Sequence, residues 1–237
     1  LLGGGEDGPA RARLARAGVE LAEGTAIDVN LLRDAAEWEA LARAVKLAPA
    51  GSLVLVDGDL QPDWRIPGSW AAAILGRATD RGVVVAGVTK HSGLSRGGAP
   101  LVGQLEAEAE LDPSLGPDAR WWAPVARTGA GVEPALVVVV ARLDPAARFA
   151  FRVDFPARLP DGVTPEEALA LVAAVSDDAA FPGYPYPLSV ADRLAACPPW
   201  VRDEARLMLD EHLEEVGVGL EQRERCFADR HRLMERS

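Results

Sequence analysis

The chain predicts a mixed α/β fold, a single domain spanning 1–237 with a helical C-terminal portion. Three observations carry this reading. Two Val-rich runs, Leu53 to Val56 and Gly82 to Thr89, flank a helical segment and form a βαβ pattern. The most hydrophobic run, ALVVVVARL at 135–143, is followed closely by FAFRVDF at 149–155. Beyond Thr164 the periodicity is helical throughout, so strands and helices mix first and helices come last.

Each element has its own signal. Residues 1–24 are rich in Gly and Arg and read as a loop or linker, with a short helix over Arg11 to Gly18. Residues 25–160 form the core. Within it, Leu31, Leu32, Ala35, Trp38, Leu41, Ala42 and Val45 recur at helical spacing, which predicts an amphipathic helix from Val29 to Val45. Pro49-Ala50-Gly51 ends it, and a strand buried inside the sheet runs into Asp57. A helix over Ser69 to Arg81 is closed by Gly82 and leads into the strand ending at Lys90. HSGLSRGG at 91–98 reads as a flexible loop and 100–111 as a helix, while the stretch opened by Trp121-Trp122 is left unassigned. The runs at 135–143 and 149–155 pair as a hairpin across Asp144 to Ala147. In 161–237, Thr164-Pro165-Glu166-Glu167 caps a helix over 165–176. The loop FPGYPYP follows, then helices near 188–196, 199–215 and 218–235. The stripe in LMLDEHLEEVGVGL suits either core packing or a dimer contact.

Composition narrows the function classes. With 237 residues, 49% hydrophobic but only 5% aromatic, the chain can fill an aliphatic core. No apolar run approaches the roughly 20 residues that span a bilayer, and the start lacks the pattern of a signal peptide, so a cytoplasmic protein without membrane association is expected. Cys197 and Cys226 have no metal-ligand spacing and read as free thiols. His212 and His231 read as surface residues of the late helices. A net charge of −11 argues against coating nucleic acid by bulk attraction, because that mode depends on clustered cations releasing counterions. Any DNA contact must be local. Only two of the 25 basic residues are lysines, Lys46 and Lys90, which makes the place of each informative.

Four polar positions are spaced as a metal-dependent site requires: Glu37 on a helix, Asp57 at a strand end beside Asp59, Lys90 at the next strand end, and Asp192 at a late helix. Hard divalent cations take oxygen ligands, so carboxylates converging from separate elements suit Mg²⁺ or Mn²⁺. Two such ions about 3.5–4 Å apart would activate a water and steady the leaving oxygen of a phosphodiester. Lys90 would neutralise a phosphate. Between prolines, Tyr184 and Tyr186 sit on a stiff loop that could pack locally or stack a base or grip a phosphate beside Asp192.

The elements LVLVDGDL, VVVAGVTKHS, VVVVARLDPAARFAFRVD and FPGYPYPLSVADRLA, in that order, resemble the NurA nucleases over roughly residues 25–200. The resemblance implies an RNase H-like mixed sheet and a Mn²⁺- or Mg²⁺-dependent deoxyribonuclease of 5′ to 3′ polarity that acts in DNA end resection. It also implies single-strand endonuclease activity, a homodimer, and a HerA-like hexameric ATPase as partner; a noncatalytic adaptor for that ATPase is the alternative. It assigns Asp57 and Glu37 to the metal site, with Glu39 the rival of Glu37, and Lys90 to the lysine after the next strand. Asp192 falls at a metal-site position near which some members have a histidine, and this helix has none. Arg96, Lys90, Tyr184 and Tyr186 would engage DNA. The family opens on an apolar strand ending in a metal-binding Asp-Gly-Ser. Here Asp7-Gly8 lies in a glycine-rich loop: either such a strand lies upstream of Leu1, the reading preferred, or this member has lost a ligand, for which Asp28 is the candidate substitute.

Overall fold

The computed structural model describes residues 8–128, 131–196, 198–219 and 222. Cys197, Cys226, His231 and nearly all of the helix expected over 218–235 lie outside the described residues. The chain divides into two units, 1–190 and 191–237.

The first unit is built on a five-stranded mixed sheet flanked by helices, as expected. In chain order its elements are α1 (Gly8–Arg16), α2 (Val29–Leu47), β1 (Leu53–Asp57), α3 (Gly68–Asp80), β2 (Val84–Thr89), β3 (Ser95–Arg96), β4 (Ala99–Pro100), α4 (Leu101–Leu111), β5 (Trp121–Arg127), β6 (Leu136–Arg142), β7 (Phe151–Pro156) and α5 (Pro165–Ala173). The strand order is β1-β2-β7-β6-β5. The pair β1 and β2 is parallel, joined through α3 as the βαβ pattern predicted, and every other neighbouring pair in this sheet is antiparallel.

Alternation along β2 explains the two layers. Val84, Ala86 and Val88 point to one face, where α5 supplies Ala168, Leu169 and Val172. Val83, preceding the strand, and Val85 belong to the other, where α2 supplies Trp38, Leu41 and Val45 and α3 supplies Ala71, Ile74 and Leu75. The buried positions of α2, from Leu31 to Val45, follow the helical period read from the sequence. Its start is set by Asp28, whose side chain accepts the Leu31 N–H. At α5 the expected cap is a full capping box between Thr164 and Glu167, with Pro165 in the first turn.

Several expectations are corrected. Strand β1 is at the sheet edge, and Leu53 to Val56 are half-buried rather than enclosed. The loop over 91–98 contains β3, which pairs with β4 in a short hairpin. The unassigned stretch after Trp121 is strand β5, on the opposite edge, with its register shifted between Pro124 and Ala126. An edge position and a bulge are where a strand tolerates proline, which cannot donate to the ladder. Residues 8–21 pack as well: Leu14 and Val19 are buried with Leu31, Ala35 and Ile66.

Helix α6 (Tyr186–Ala195) starts in the first unit and ends in the second, which also contains α7 (Pro199–Glu215). None of the side chains of α7 is buried. His212 is exposed, as expected, with Nδ1 3.7 Å from Glu215. Among the described residues, no helix is long and apolar enough to cross a membrane.

Candidate active site

The parallel strands β1 and β2 deliver their last residues to the same end of the sheet, where open α/β folds gather their ligands. Asp57 closes β1 and Lys90 follows β2, and the Lys90 Nζ donates to Asp57 Oδ2 at 3.0 Å. The second carboxylate oxygen of Asp57 accepts the Tyr184 hydroxyl at 2.9 Å. Lys90 Nζ also stands 5.1 Å from the centroid of the Tyr184 ring. Residues from three distant segments therefore meet on one carboxylate.

Tyr184 is held there by packing. Its ring is buried against Phe151 and Phe181, with centroids 5.4 and 6.0 Å away. The loop reaches this place because Gly183, at φ +90, lies against Ala147; a Cβ would come within 2.5 Å of the Ala147 Cβ. Tyr186, half-exposed, begins α6, and its N–H donates to Val175 O at 2.8 Å.

Glu37 joins Asp57 across a small cavity of about 230 Å³ that Asp34 and Asp59 also line. Burial pushes the Glu37 carboxyl above its ordinary range, and the negative charges of Asp34 and Asp57 add to the effect. Asp34 is pushed the same way by burial, with Asp63 and Asp59 adding repulsion against a hydrogen bond from the Asp63 N–H. The hydroxyl of Thr89, which also lines this cavity, is buried without a hydrogen-bond partner. Glu39 does not line the cavity; it stands 3.9 Å from Arg43 on α2.

A pair on β7 was not singled out from the sequence. Asp154 is fully buried and takes two hydrogen bonds from Arg152, at 2.8 and 2.7 Å. It also accepts the Leu60 N–H at 3.2 Å, while Arg152 reaches Asp59 Oδ2 at 3.3 Å. Burial pushes the Asp154 carboxyl up, against the opposing pull of Arg152. The pair thus ties the turn after Asp57 to the centre of the sheet. Gly87 beneath makes room for that turn: a Cβ there would meet Gly58 O at 2.6 Å and Leu60 Cγ at 3.0 Å. In FRVDF the charged residues read as an ordinary alternating strand. The usable signal was an Asp inside a hydrophobic strand, which must find partners once both faces are covered.

The remaining candidates are Arg96, Asp192 and Asp28. Arg96, on β3, donates to Gln104 at 2.8 Å and pairs with Glu108, both on α4. Asp192 is exposed on α6, in the second unit. Asp28 is not placed as a metal ligand: it caps α2 and pairs with Arg65 at 2.8 Å, which with the Leu31 N–H lowers its carboxyl to about 2.

As a donor set, Glu37 and Asp57 supply hard oxygens toward one cavity, where burial raises the Glu37 carboxyl against the opposing pull of Arg33, 3.7 Å away. Among the described residues no three of His, Cys, Asp or Glu stand close enough to hold an ion together. Two carboxylates are the donor type of sites that use one or two carboxylates and complete a hard cation's shell with water and substrate phosphate, while both Asp57 oxygens accept protein hydrogen bonds here.

The fold has a known counterpart. The structure is similar to the crystal structure of the NurA nuclease from Sulfolobus solfataricus, with a TM-score of 0.53 and 16% sequence identity over 78% of this chain and 67% of that one. At that identity the likeness is one of fold. No protein-family model matches the chain. No curated protein matches it either.

Proposed function

We propose that this protein is a metal-dependent deoxyribonuclease that hydrolyses phosphodiester bonds at the Asp57 centre. The observation that carries the reading is the meeting of Asp57, Lys90 and Tyr184 beside Glu37, at the carboxyl end of the parallel strands in a NurA-like fold. Glu37 and Asp57 would hold Mn²⁺ or Mg²⁺, which when bound polarises a phosphoryl oxygen and makes a coordinated water a better nucleophile. Lys90 can leave Asp57 for a substrate phosphate, because both side chains are partly exposed and their exposed ion pair is a weak one. Tyr184 fixes the Asp57 carboxylate in orientation through its hydroxyl. The Arg152 and Asp154 pair steadies Asp59 and the turn that follows Asp57.

The finer reading rests on the resemblance in sequence. It makes Asp192 a further ligand and sets the enzyme in 5′ to 3′ end resection as a homodimer working with a HerA-like hexameric ATPase, while Arg96 and Tyr186 would engage the DNA on the reading of the residues themselves. It also gives the enzyme single-strand endonuclease activity.

One observation favours a second reading, an adaptor of the same fold without catalysis that binds the ATPase. Both oxygens of Asp57 are already engaged by protein groups, and no cluster of three ligands forms among the described residues. Degradation of linear DNA in the presence of Mn²⁺ separates the two. On the nuclease reading the wild type degrades it and Asp57→Ala does not, while circular dichroism shows both folded. Folded wild-type protein that leaves DNA intact, with and without the ATPase, supports the adaptor.

A further inference from the structure

A second and larger cavity, of about 750 Å³, opens between α4 and the connection from β6 to β7. Its size is within the range of small-molecule sites. Trp121 and Phe149 line it with aromatic surface, and Arg148, Glu106 and Glu110 line it with charge. Phe149 is about half exposed, and the Arg148 guanidinium lies 5.3 Å from the centroid of its ring. Arg142 also lines the cavity but is committed to structure, since it donates to the carbonyls of Ala147, Pro117 and Pro145.

We propose that this cavity is a nucleobase subsite that holds the unpaired end of a single-stranded oligonucleotide whose phosphodiester lies at Asp57. The inference rests on the nuclease reading and extends it from the reacting bond to the strand. Position is its first support. Trp121 pairs with Arg142, Ala141 with Phe151, Arg152 with Thr89 and Val88 with Asp57, so the cavity and the carboxylate site lie along one end of the same sheet. At about 4.8 Å per strand spacing, the two to four spacings from β1 to β7, β6 and β5 amount to roughly 10–19 Å. At a rise of about 3.4 Å that is roughly three to six nucleotides, and fewer when the strand is extended. The two places are also joined by contact. Ala147 lines the cavity and touches Gly183, the residue that sets Tyr184 on Asp57.

Chemistry is the second support. Two arginines and two glutamates cancel, so the cavity does not attract phosphate by net charge, in keeping with a chain of net charge −11. What it offers is aromatic surface and a guanidinium plane, which bind the faces of bases regardless of sequence. One carboxylate oxygen of Glu106 accepts the Ala150 N–H. Glu110, exposed at the rim, is an acceptor suited to the amino groups on base edges.

The test measures binding to full-length protein in EDTA, so that nothing is cleaved, using 2-aminopurine-labelled oligodeoxynucleotides. A single-stranded 12-mer reaches both sites, and a 12-base-pair duplex keeps its bases stacked. Phe149→Ala should weaken the 12-mer roughly 5- to 100-fold, the range for loss of one base stack. Phe149→Trp should retain binding, and the duplex should be unaffected. Equal affinity of wild type and Phe149→Ala for the 12-mer overturns the proposal, as does an equal loss on the duplex. Loss confined to the 12-mer, in protein that cleaves nothing when Mn²⁺ is supplied, keeps the subsite and removes the nuclease. Cleavage by both proteins with unchanged 12-mer affinity does the reverse.

Discussion

At the scale of single residues, Asp57 is defined by its partners. The hydroxyl of Tyr184 donates to a carboxylate in a partly buried setting, and hydrogen bonds to charged groups contribute about 1.5–3 kcal/mol. Tyr184→Phe keeps the ring between Phe151 and Phe181 and deletes that bond. DNA cleavage should therefore fall roughly 10- to 100-fold, with a loss of stability no larger than that bond's own contribution; unaltered turnover would remove Tyr184 from the site. Arg152 and Asp154 make a different case. Because Asp154 is fully buried, Arg152→Met leaves a carboxylate without its cation, a change that costs about 3–5 kcal/mol in comparable buried pairs. Urea unfolding should show that loss, and the double variant Arg152→Met with Asp154→Leu should recover more than half of it. Glu37, Asp57 and Lys90 were legible in the sequence because each ends or interrupts an apolar pattern. The Arg152 and Asp154 pair was not, because its partner Leu60 is 94 residues away and the strand that carries it looks like a solvated hairpin arm.

At the scale of elements, the near-continuous apolar run of β2 and the 3.6-residue period of α2 sufficed to read the layers, since the first demands cover on both faces and the second states which face of the helix turns inward. Edges were harder. Nothing in Leu53 to Val56 says whether a second strand lies alongside, and the stretch after Trp121 contains a proline that a strand tolerates at an edge, the position the structure gives it. The approach of the turn 57–60 to β2 depends on a missing side chain. Gly87→Ala places a methyl 2.6 Å from Gly58 O, and the turn must move. We expect a loss of about 1–3 kcal/mol, as for other overpacked sites, with a larger fall in cleavage, since the shift displaces Asp57 and Asp59 together. Gly76→Ala is the matched control. It lies inside α3 with nothing within 4 Å of the added methyl, and alanine is the better helix former by about 1 kcal/mol. That variant should melt higher and cleave normally. Equal behaviour of the two would show that the turn tolerates displacement.

At the scale of the whole molecule, a net charge of −11 sets the background against which the acidic cavity works. Any salt screens that charge, so stabilisation by a cation means little unless it is specific. The carboxyls of Glu37 and Asp34 provide the means to tell. Burial and neighbouring negative charge raise both above their ordinary values of 4.5 and 3.8, so the folded chain holds these protons more tightly than the unfolded chain. Their contribution to stability is full below those values and is lost as the pH rises through the raised ones. Near neutrality the cavity therefore holds carboxylates that repel one another. A divalent cation bound there should restore what deprotonation removed. The expected result is a rise in Tm with Mn²⁺ or Mg²⁺ at pH 7 to 8 that exceeds the effect of NaCl at equal ionic strength, reaching about 2.7 kcal/mol at a hundred times Kd. That excess should shrink as the pH falls toward the raised carboxyl range, where protons compete for the same oxygens, and it should be absent in Glu37→Gln with Asp57→Asn. An increment that NaCl reproduces, or that survives in the double variant, would mean that the ions act on the overall charge and not in this cavity.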